Sequence, residues 1–448
     1  MRKTRLDEAD AFATKLLAGP DLATEQRVIL RQRLIQNRAD RGDWRAAEDL
    51  CREALAGSPD EPSFAWGLIT AQANQGHLDQ AWSTYRQLRP PVPAPELIAL
   101  WMALHARFGF TEADVVTALD LIDRWPDHQD VGGKILMTFL ELGGQRRADG
   151  QPVLPDLSAE TLGRFQAELK NYALRNPGGP LTMIDLQGVD LVQVIRAQLV
   201  PHAGELNHAA GLVREGKLPI GALAVAASRP YAAMLIEQSC GVQYAVTAGS
   251  KAFRHEIEAA KQAIDGEVVT EASALAVVTL LPSRWPALRS AFSTIRLPRP
   301  ALVDIDQAWK DLARSPGSFY SVSYDLQTDT LVLQEISLAE HQHLFGRIAI
   351  VDEIARQLTI TDIPSTAEEP DPHQAWSAAI TLAAARQLPL WSDDIAVRSV
   401  AASQGVPAFG TYALLTALTE TSLIPDTRAE DTLTLTQAHI VQLSESGR

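Results

Sequence analysis

A spacing of 34 residues governs the first third of the chain: Gly42 recurs as Gly76, Ala47 as Ala81 and Pro59 as Pro93. Trp44 and Leu78 are equivalent apolar positions, and the two units read RGDWRAAEDLCREALAGSP and QGHLDQAWSTYRQLRPPVP. Each residue type has a physical reason to return. A small side chain is needed where two helices cross closely, a glycine closes the first helix of a pair, and a proline ends the second. Paired helices of this period cannot bury their apolar faces alone. They must stack on their neighbours into a single continuous core. The chain is thereby committed to a helical superhelix over roughly residues 1–150.

A third copy, FGFTEADVVTALDLIDRWP, carries Gly109 and Pro126 one residue short of the period, and a partial leading copy sits around ATKLLAGPD. These units resemble the tetratricopeptide repeat, in which two antiparallel helices make up each unit. The resemblance implies a concave face that takes a peptide or protein segment, so a protein partner is expected there. Nothing in this region suggests catalysis.

Composition narrows the remainder. The chain has 448 residues, 46% of them hydrophobic and 21% charged, as in ordinary globular proteins with room for two or three domains. Cys51 and Cys240 stand far apart and fit neither a disulfide framework nor a thiolate metal site, which predicts a reducing compartment. The opening MRKTRLDEADAF has no apolar run behind it, and no segment has the length of a membrane span. A cytoplasmic protein is expected. A formal net charge of −15 argues against broad electrostatic adhesion to nucleic acid. It leaves open a nuclease in which metal ions and a local basic patch handle the phosphate backbone.

The domain organisation expected from pattern is helical repeats over 1–150, a Pro- and Gly-rich linker over 151–180, an α/β connecting segment over 181–265, an α/β domain over 266–425 and a tail over 426–448. In the connecting segment LTMIDL reads as a strand. KLPIGALAVAASRPYAAMLIEQ reads as two apolar helices broken near Ser228-Arg229-Pro230, and Asp185 and Asp190 are solvated loop acids.

The chemistry-bearing stretch lies late. LWSDDIAVRSVAASQGVPAFGTYALL reads as a short strand, two adjacent acids (Asp393 and Asp394), a helix, a second short strand, Gly410-Thr411 and another helix. Ligands of open α/β sheets gather outside the carboxyl ends of strands. Confined neighbouring carboxylates repel one another, so a metal ion is a natural companion. Helix capping by Ser392 or an Asp is the competing role. Earlier, VVTEASAL places Glu271 at a strand end ahead of a helix, and IRLPRPALVDI leads a strand into a helix bearing Asp304.

Taken in order, VVTEASAL, IRLPRPALVDI, LPLWSDDIAVRSVA and VPAFGTYALL resemble the PIN-domain family of metal-dependent ribonucleases. The resemblance implies an α/β/α sandwich with a mainly parallel sheet. It also implies that Glu271, Asp304, Asp393 and Asp394 hold one or two Mg²⁺ or Mn²⁺ ions that activate water against a phosphodiester. Ser273 would touch a phosphate or the first acid. Arg398 would steady the late pair or contact nucleic acid, with a helix-face salt bridge as the alternative. Two positions depart from the family. Glu271 replaces an aspartate, and Gln374 stands where relatives place another acid, with Glu368, Glu369 and Asp371 just upstream. The expectation is a metal-dependent endoribonuclease acting on RNA, or on single-stranded DNA, with a partner-binding repeat region. The alternative is a non-catalytic PIN-like adaptor that binds protein or RNA.

Other motifs carry less. His341 and His343 lack a third ligand at useful spacing, and there is no dinucleotide, Walker-type or nucleophile-elbow signature. YSVSYDLQTDTLVLQEI reads as a hairpin around Thr328-Asp329, with Tyr320 and Tyr324 on its strands, and the tail after Pro425, polar with a short apolar run from His439 to Leu443, as a peripheral helix.

Overall fold

The computed structural model describes residues 2–17, 19, 22–143, 151–176, 191–238, 245–312, 320–325, 330–335, 337–363 and 375–443. The expected strand Leu181–Leu186, Asp185, Asp190, Cys240, Glu368, Glu369, Asp371 and Gln374 lie outside them. The chain forms two compact units, Met1–Asp185 and Leu186–Arg448.

The first unit is helical: α1 (Arg2–Leu17), α2 (Thr24–Ala39), α3 (Trp44–Gly57), α4 (Pro62–Asn74), α5 (Leu78–Leu88), α6 (Ile98–Phe108), α7 (Glu112–Arg124), α8 (Gln129–Leu142) and α9 (Ala159–Arg175). The recurring glycines sit in the turns α2–α3, α4–α5 and α6–α7. Gly42, Gly76 and Gly109 have φ of 71°, 83° and 99°, left of the region that L-residues occupy cheaply. The degenerate third copy keeps the positive φ but closes differently: Asp43 N and His77 N return to Arg38 O and Gln72 O, whereas Phe110 N donates to Val153 O. Its second helix starts on a reciprocal cap, Thr111 with Asp114. Ala47 and Ala81 are buried at the helix crossings. The approach is close at Gly67, where a Cβ would lie 2.9 Å from the Cys51 sulfur. Burial pushes the Cys51 thiol up to about 12. Between α3 and α4 the buried Glu48 accepts hydrogen bonds from Arg52, Gln72 and Gln75, which meets the requirement that an interior carboxylate be paired.

The second unit opens with α10 (Leu191–Arg214), α11 (Ile220–Ala226), α12 (Tyr231–Glu237), β1 (Val246–Ala248) and α13 (Lys251–Ala263). Then follow β2 (Glu267–Thr270), α14 (Ala272–Val278), α15 (Trp285–Ser290), β3 (Thr294–Pro298), α16 (Arg299–Leu312), the hairpin strands β4 (Tyr320–Asp325) and β5 (Thr330–Glu335), and α17 (Leu338–Arg356). The chain continues with β6 (Thr359–Thr361), α18 (Ala375–Arg386), β7 (Leu390–Trp391), α19 (Ile395–Ser403), β8 (Ala408–Phe409), α20 (Thr411–Glu420), α21 (Arg428–Gln437) and β9 (Val441–Leu443). The two apolar helices α11 and α12 are separated where Ser228 takes φ 51°, at the break read from Ser228-Arg229-Pro230.

Five strands form one parallel sheet in the order β6-β3-β2-β7-β8. Side chains of successive strand residues point to opposite faces, and both faces are covered. Val269 and Leu390 pack with α18 and α19. Val268 and Trp391 belong to the larger core shared with α13, α14, α16, α17 and α20. Strand order reverses between β2 and β7, which creates a switch point at their carboxyl ends. The hairpin β4–β5 is antiparallel, with its turn outside the described residues. The tail after Pro425 does form a helix, α21, but its apolar run from His439 to Leu443 lies beyond that helix. Val441–Leu443 pairs in parallel with Val246–Ala248, because a strand partner distant in sequence supplies the hydrogen bonds. Among the described residues no helix is long and apolar enough to cross a membrane.

Candidate functional site

At the switch point the chain leaves β2 through Glu271 and β7 through Ser392-Asp393-Asp394, so the two exits deliver their acids to one place. Ser273 joins them. Its backbone N–H donates to Glu271 Oε2 at 2.8 Å and its hydroxyl donates to Glu271 Oε1. The same hydroxyl oxygen accepts the backbone N–H groups of Asp393 at 2.8 Å and Asp394 at 3.0 Å. Glu271 and Ser392 are fully buried, and Ser273, Asp393 and Asp394 are buried as well.

Each carboxylate here caps a helix. Glu271 is the N-cap of α14. Asp393 takes the first N–H of α20, accepting Thr411 N at 2.9 Å on Oδ1 and the Thr411 hydroxyl on Oδ2. Gly410 is required beside it, since a Cβ there would lie 2.8 Å from Asp393 Oδ1. Asp394 caps two helices at once. Its Oδ1 accepts Ala396 N and Val397 N at the start of α19 (2.9 and 3.3 Å), and its Oδ2 accepts Ile220 N at the start of α11 at 2.8 Å. Asp304, on α16, shares no hydrogen bond with the other three. It accepts Tyr231 N and Ala232 N, both at 2.8 Å, and so caps α12. Tyr231 is the link between the two places. Its buried phenol is raised by burial and then by the nearby charges of Glu271 and Asp394.

Burial dominates the electrostatics. It lifts Glu271 to about 7, against hydrogen bonds from Ser273 that favour the charged form. Asp393 and Asp304 rise to about 6 for the same reason, and Asp394 rises too. Arg398 faces inward rather than toward solvent. It donates to Ser392 O at 2.8 Å, to Ala245 O, and to Glu256 at 3.0 Å. Its guanidinium thus ties α19 to the segment around β1 and to α13.

This donor set does not fit a divalent ion. Hard cations take several oxygens converging on one point, whereas here both oxygens of each carboxylate already accept protein N–H or O–H groups. Among the described residues no group of three or more His, Cys, Asp or Glu is placed to hold a metal; His341 and His343 both lie on α17.

Sequence reasoning missed Ile220, Tyr231 and Arg347. Ile220 and Tyr231 enter through backbone N–H groups, which any residue but proline supplies, so no residue type marked them. Arg347, in the middle of α17, donates to Thr279 Oγ1, Ile236 O and Ala276 O, and nothing around it in the chain announced a half-buried arginine held by three bonds.

The first unit carries the other candidate surface, built of paired helices, a positive-φ glycine in the turns α2–α3, α4–α5 and α6–α7, and buried alanines at positions 47 and 81. Residues 38–104 match the tetratricopeptide-repeat family model. No curated protein and no solved structure matches the chain. The tetratricopeptide match spans α3 to α6 with Gly42 and Gly76, the pair that sets the 34-residue spacing. Tetratricopeptide arrays leave an extended concave surface for protein segments, and binding to a protein partner is the class of function this match supports.

Proposed function

We propose that the chain is a non-catalytic adaptor. Its tetratricopeptide region holds a protein partner on the concave face, and its C-terminal α/β unit is PIN-like in topology but uses its acids to hold helices in place. The observation that carries this reading is the occupancy of the carboxylates. Glu271, Asp304, Asp393 and Asp394 cap α14, α12, α20, and α11 together with α19. Two of these helices, α11 and α12, come from the connecting segment, so the acids fasten that segment onto the sheet unit.

The test has two parts. RNA is incubated with the full chain and Mn²⁺, alongside Asp393→Asn/Asp394→Asn; the adaptor reading expects no metal-dependent cleavage beyond that of the double variant. A photoreactive residue is then placed at Ile29, 62% exposed on α2, and at Glu53 on α3. Partner adducts at the first site and not the second support concave-face binding. Absence of adducts at both sites, or adducts at Glu53 alone, overturns it.

A second reading, a PIN-type endoribonuclease using Mg²⁺ or Mn²⁺ on RNA or single-stranded DNA, is favoured by one feature. Glu271, Ser273, Asp393 and Asp394 meet at the carboxyl ends of β2 and β7 in a sheet whose strand order reverses there. It requires the carboxylates to exchange their caps for metal. Cleavage that needs Mn²⁺ and disappears in the double variant would establish it.

A further inference from the structure

Above the switch point lies a cavity of about 40 Å³ whose walls include Arg347, Ser273, Gln238, Asp393, Ala276 and Ile220. Space of that size takes about three waters or one small polyatomic ion. Among the described residues that line it, Arg347 is the only cation. Each of the three guanidinium nitrogens donates to a neutral oxygen: Nε to Thr279 Oγ1 at 3.1 Å, Nη1 to Ile236 O at 3.0 Å and Nη2 to Ala276 O at 3.2 Å. A guanidinium has five N–H groups, so two remain. Among the described residues no carboxylate forms an ion pair with it, and burial is the one cause that lowers its pKa. Asp393 on the facing wall accepts from Thr411 on both oxygens, and the cation acting on it is Arg398 rather than Arg347.

Three bonds to neutral acceptors hold this guanidinium in position while leaving its charge uncompensated. Positioned arginines with free N–H groups recognise planar or tetrahedral oxyanions. The carboxyl edge of an open sheet at its switch point is where such groups collect. We propose that Arg347 and the cavity beside Ser273 form a binding site for a phosphate-sized oxyanion, either free or as the end of a phosphomonoester. The proposal does not depend on the adaptor reading, since it uses neither the repeat region nor a metal.

The test titrates the full-length protein with inorganic phosphate and, separately, with a nucleoside 5′-monophosphate, by calorimetry in chloride buffer. Saturable binding of either is expected, weakened by about tenfold or more in Arg347→Gln, as for loss of a charge-assisted hydrogen bond. Tighter binding of the monophosphate identifies the ligand as a larger phosphomonoester, and equal binding identifies the free ion. Because Arg347→Gln also loses bonds to Ile236 and Ala276, a second measurement uses the unaltered protein. Phosphate should protect Arg347 from phenylglyoxal, read by mass spectrometry of the peptide. Absence of saturable binding by both ligands, or modification of Arg347 at the same rate with and without phosphate, overturns the site.

Discussion

Asp394 accepts the backbone N–H of Ile220 at 2.8 Å, a bond between a strand exit and the start of a helix 174 positions earlier in the chain. The same carboxylate also caps α19, so a single side chain fixes two helix starts. Asp394→Ala should therefore cost more than one cap. About 2–4 kcal/mol is expected from a lost cap and a stranded buried donor, measured by denaturant unfolding. Hydrogen exchange over residues 215–238 should accelerate with it. Unchanged exchange in that segment would falsify the fastening role.

Gly221 is packed against Trp376 so closely that an added Cβ would lie 2.1 Å from the indole Cδ1. Gly221→Val should lose about 3 kcal/mol or more, because overpacking forces both α11 and α18 off their positions. Near-wild-type stability in thermal unfolding would mean that α11 does not sit against Trp376 in solution.

The pH dependence should run opposite to ordinary acid unfolding over part of its range. Glu271 moves from its ordinary 4.5 to about 7 on folding, chiefly by burial, and Asp393 and Asp304 move from 3.8 to about 6. A raised folded-state pKa gives stability that is fully present below the unfolded value and lost as pH rises through the folded one. Stability should thus increase as pH falls from 8 toward 5, by on the order of 3 kcal/mol from Glu271. Glu271→Gln should flatten the profile and match or exceed the parent at pH 8. A parent that loses stability steadily from pH 8 to 5 contradicts this.

Cys51 is fully buried and its thiol is pushed up to about 12, so little thiolate exists to react. In a Cys240→Ser background, iodoacetamide should label Cys51 only on unfolding. Labelling of native protein at the rate of the denatured chain would contradict the packing of α3 against α4.

Gly76→Ala places a Cβ on a residue with φ 83°. Loss of about 1–2 kcal/mol is expected for a left-handed position. Gly163 on α9, where a Cβ meets nothing within 4 Å, is the control, because alanine there should stabilise slightly. Equal effects at both sites would rule out a conformational reason for the repeating glycines.

The helical unit was legible because its turns and crossings demand particular residue types, and Gly42, Ala47 and Pro59 return at one spacing. The meeting of Glu271 with Asp393 and Asp394 was legible for a similar reason: strand exits in a parallel sheet converge. The partners of those carboxylates were not. A carboxylate at a strand end looks alike whether it faces a metal or a helix start, and the groups that decide are backbone N–H donors of Ile220 and Tyr231. Asp304 shows this best, since its position on α16 was read correctly while its acceptor role toward α12 left no trace in residue type. The end of the tail, past the helix α21 that was expected there, went astray on similar grounds. Val441–Leu443 alone has no period that separates helix from strand, and its partner Val246–Ala248 lies far upstream.

That pairing of Val246–Ala248 with Val441–Leu443 has a consequence for synthesis. The ribosome delivers the upstream strand long before its mate. At ~5–20 residues per second, on the order of ten seconds or more pass with that edge unmatched. The segment around α11 and α12 precedes the same delay, so nascent chains of this protein should depend on chaperone cover until residue 443 has cleared the exit tunnel.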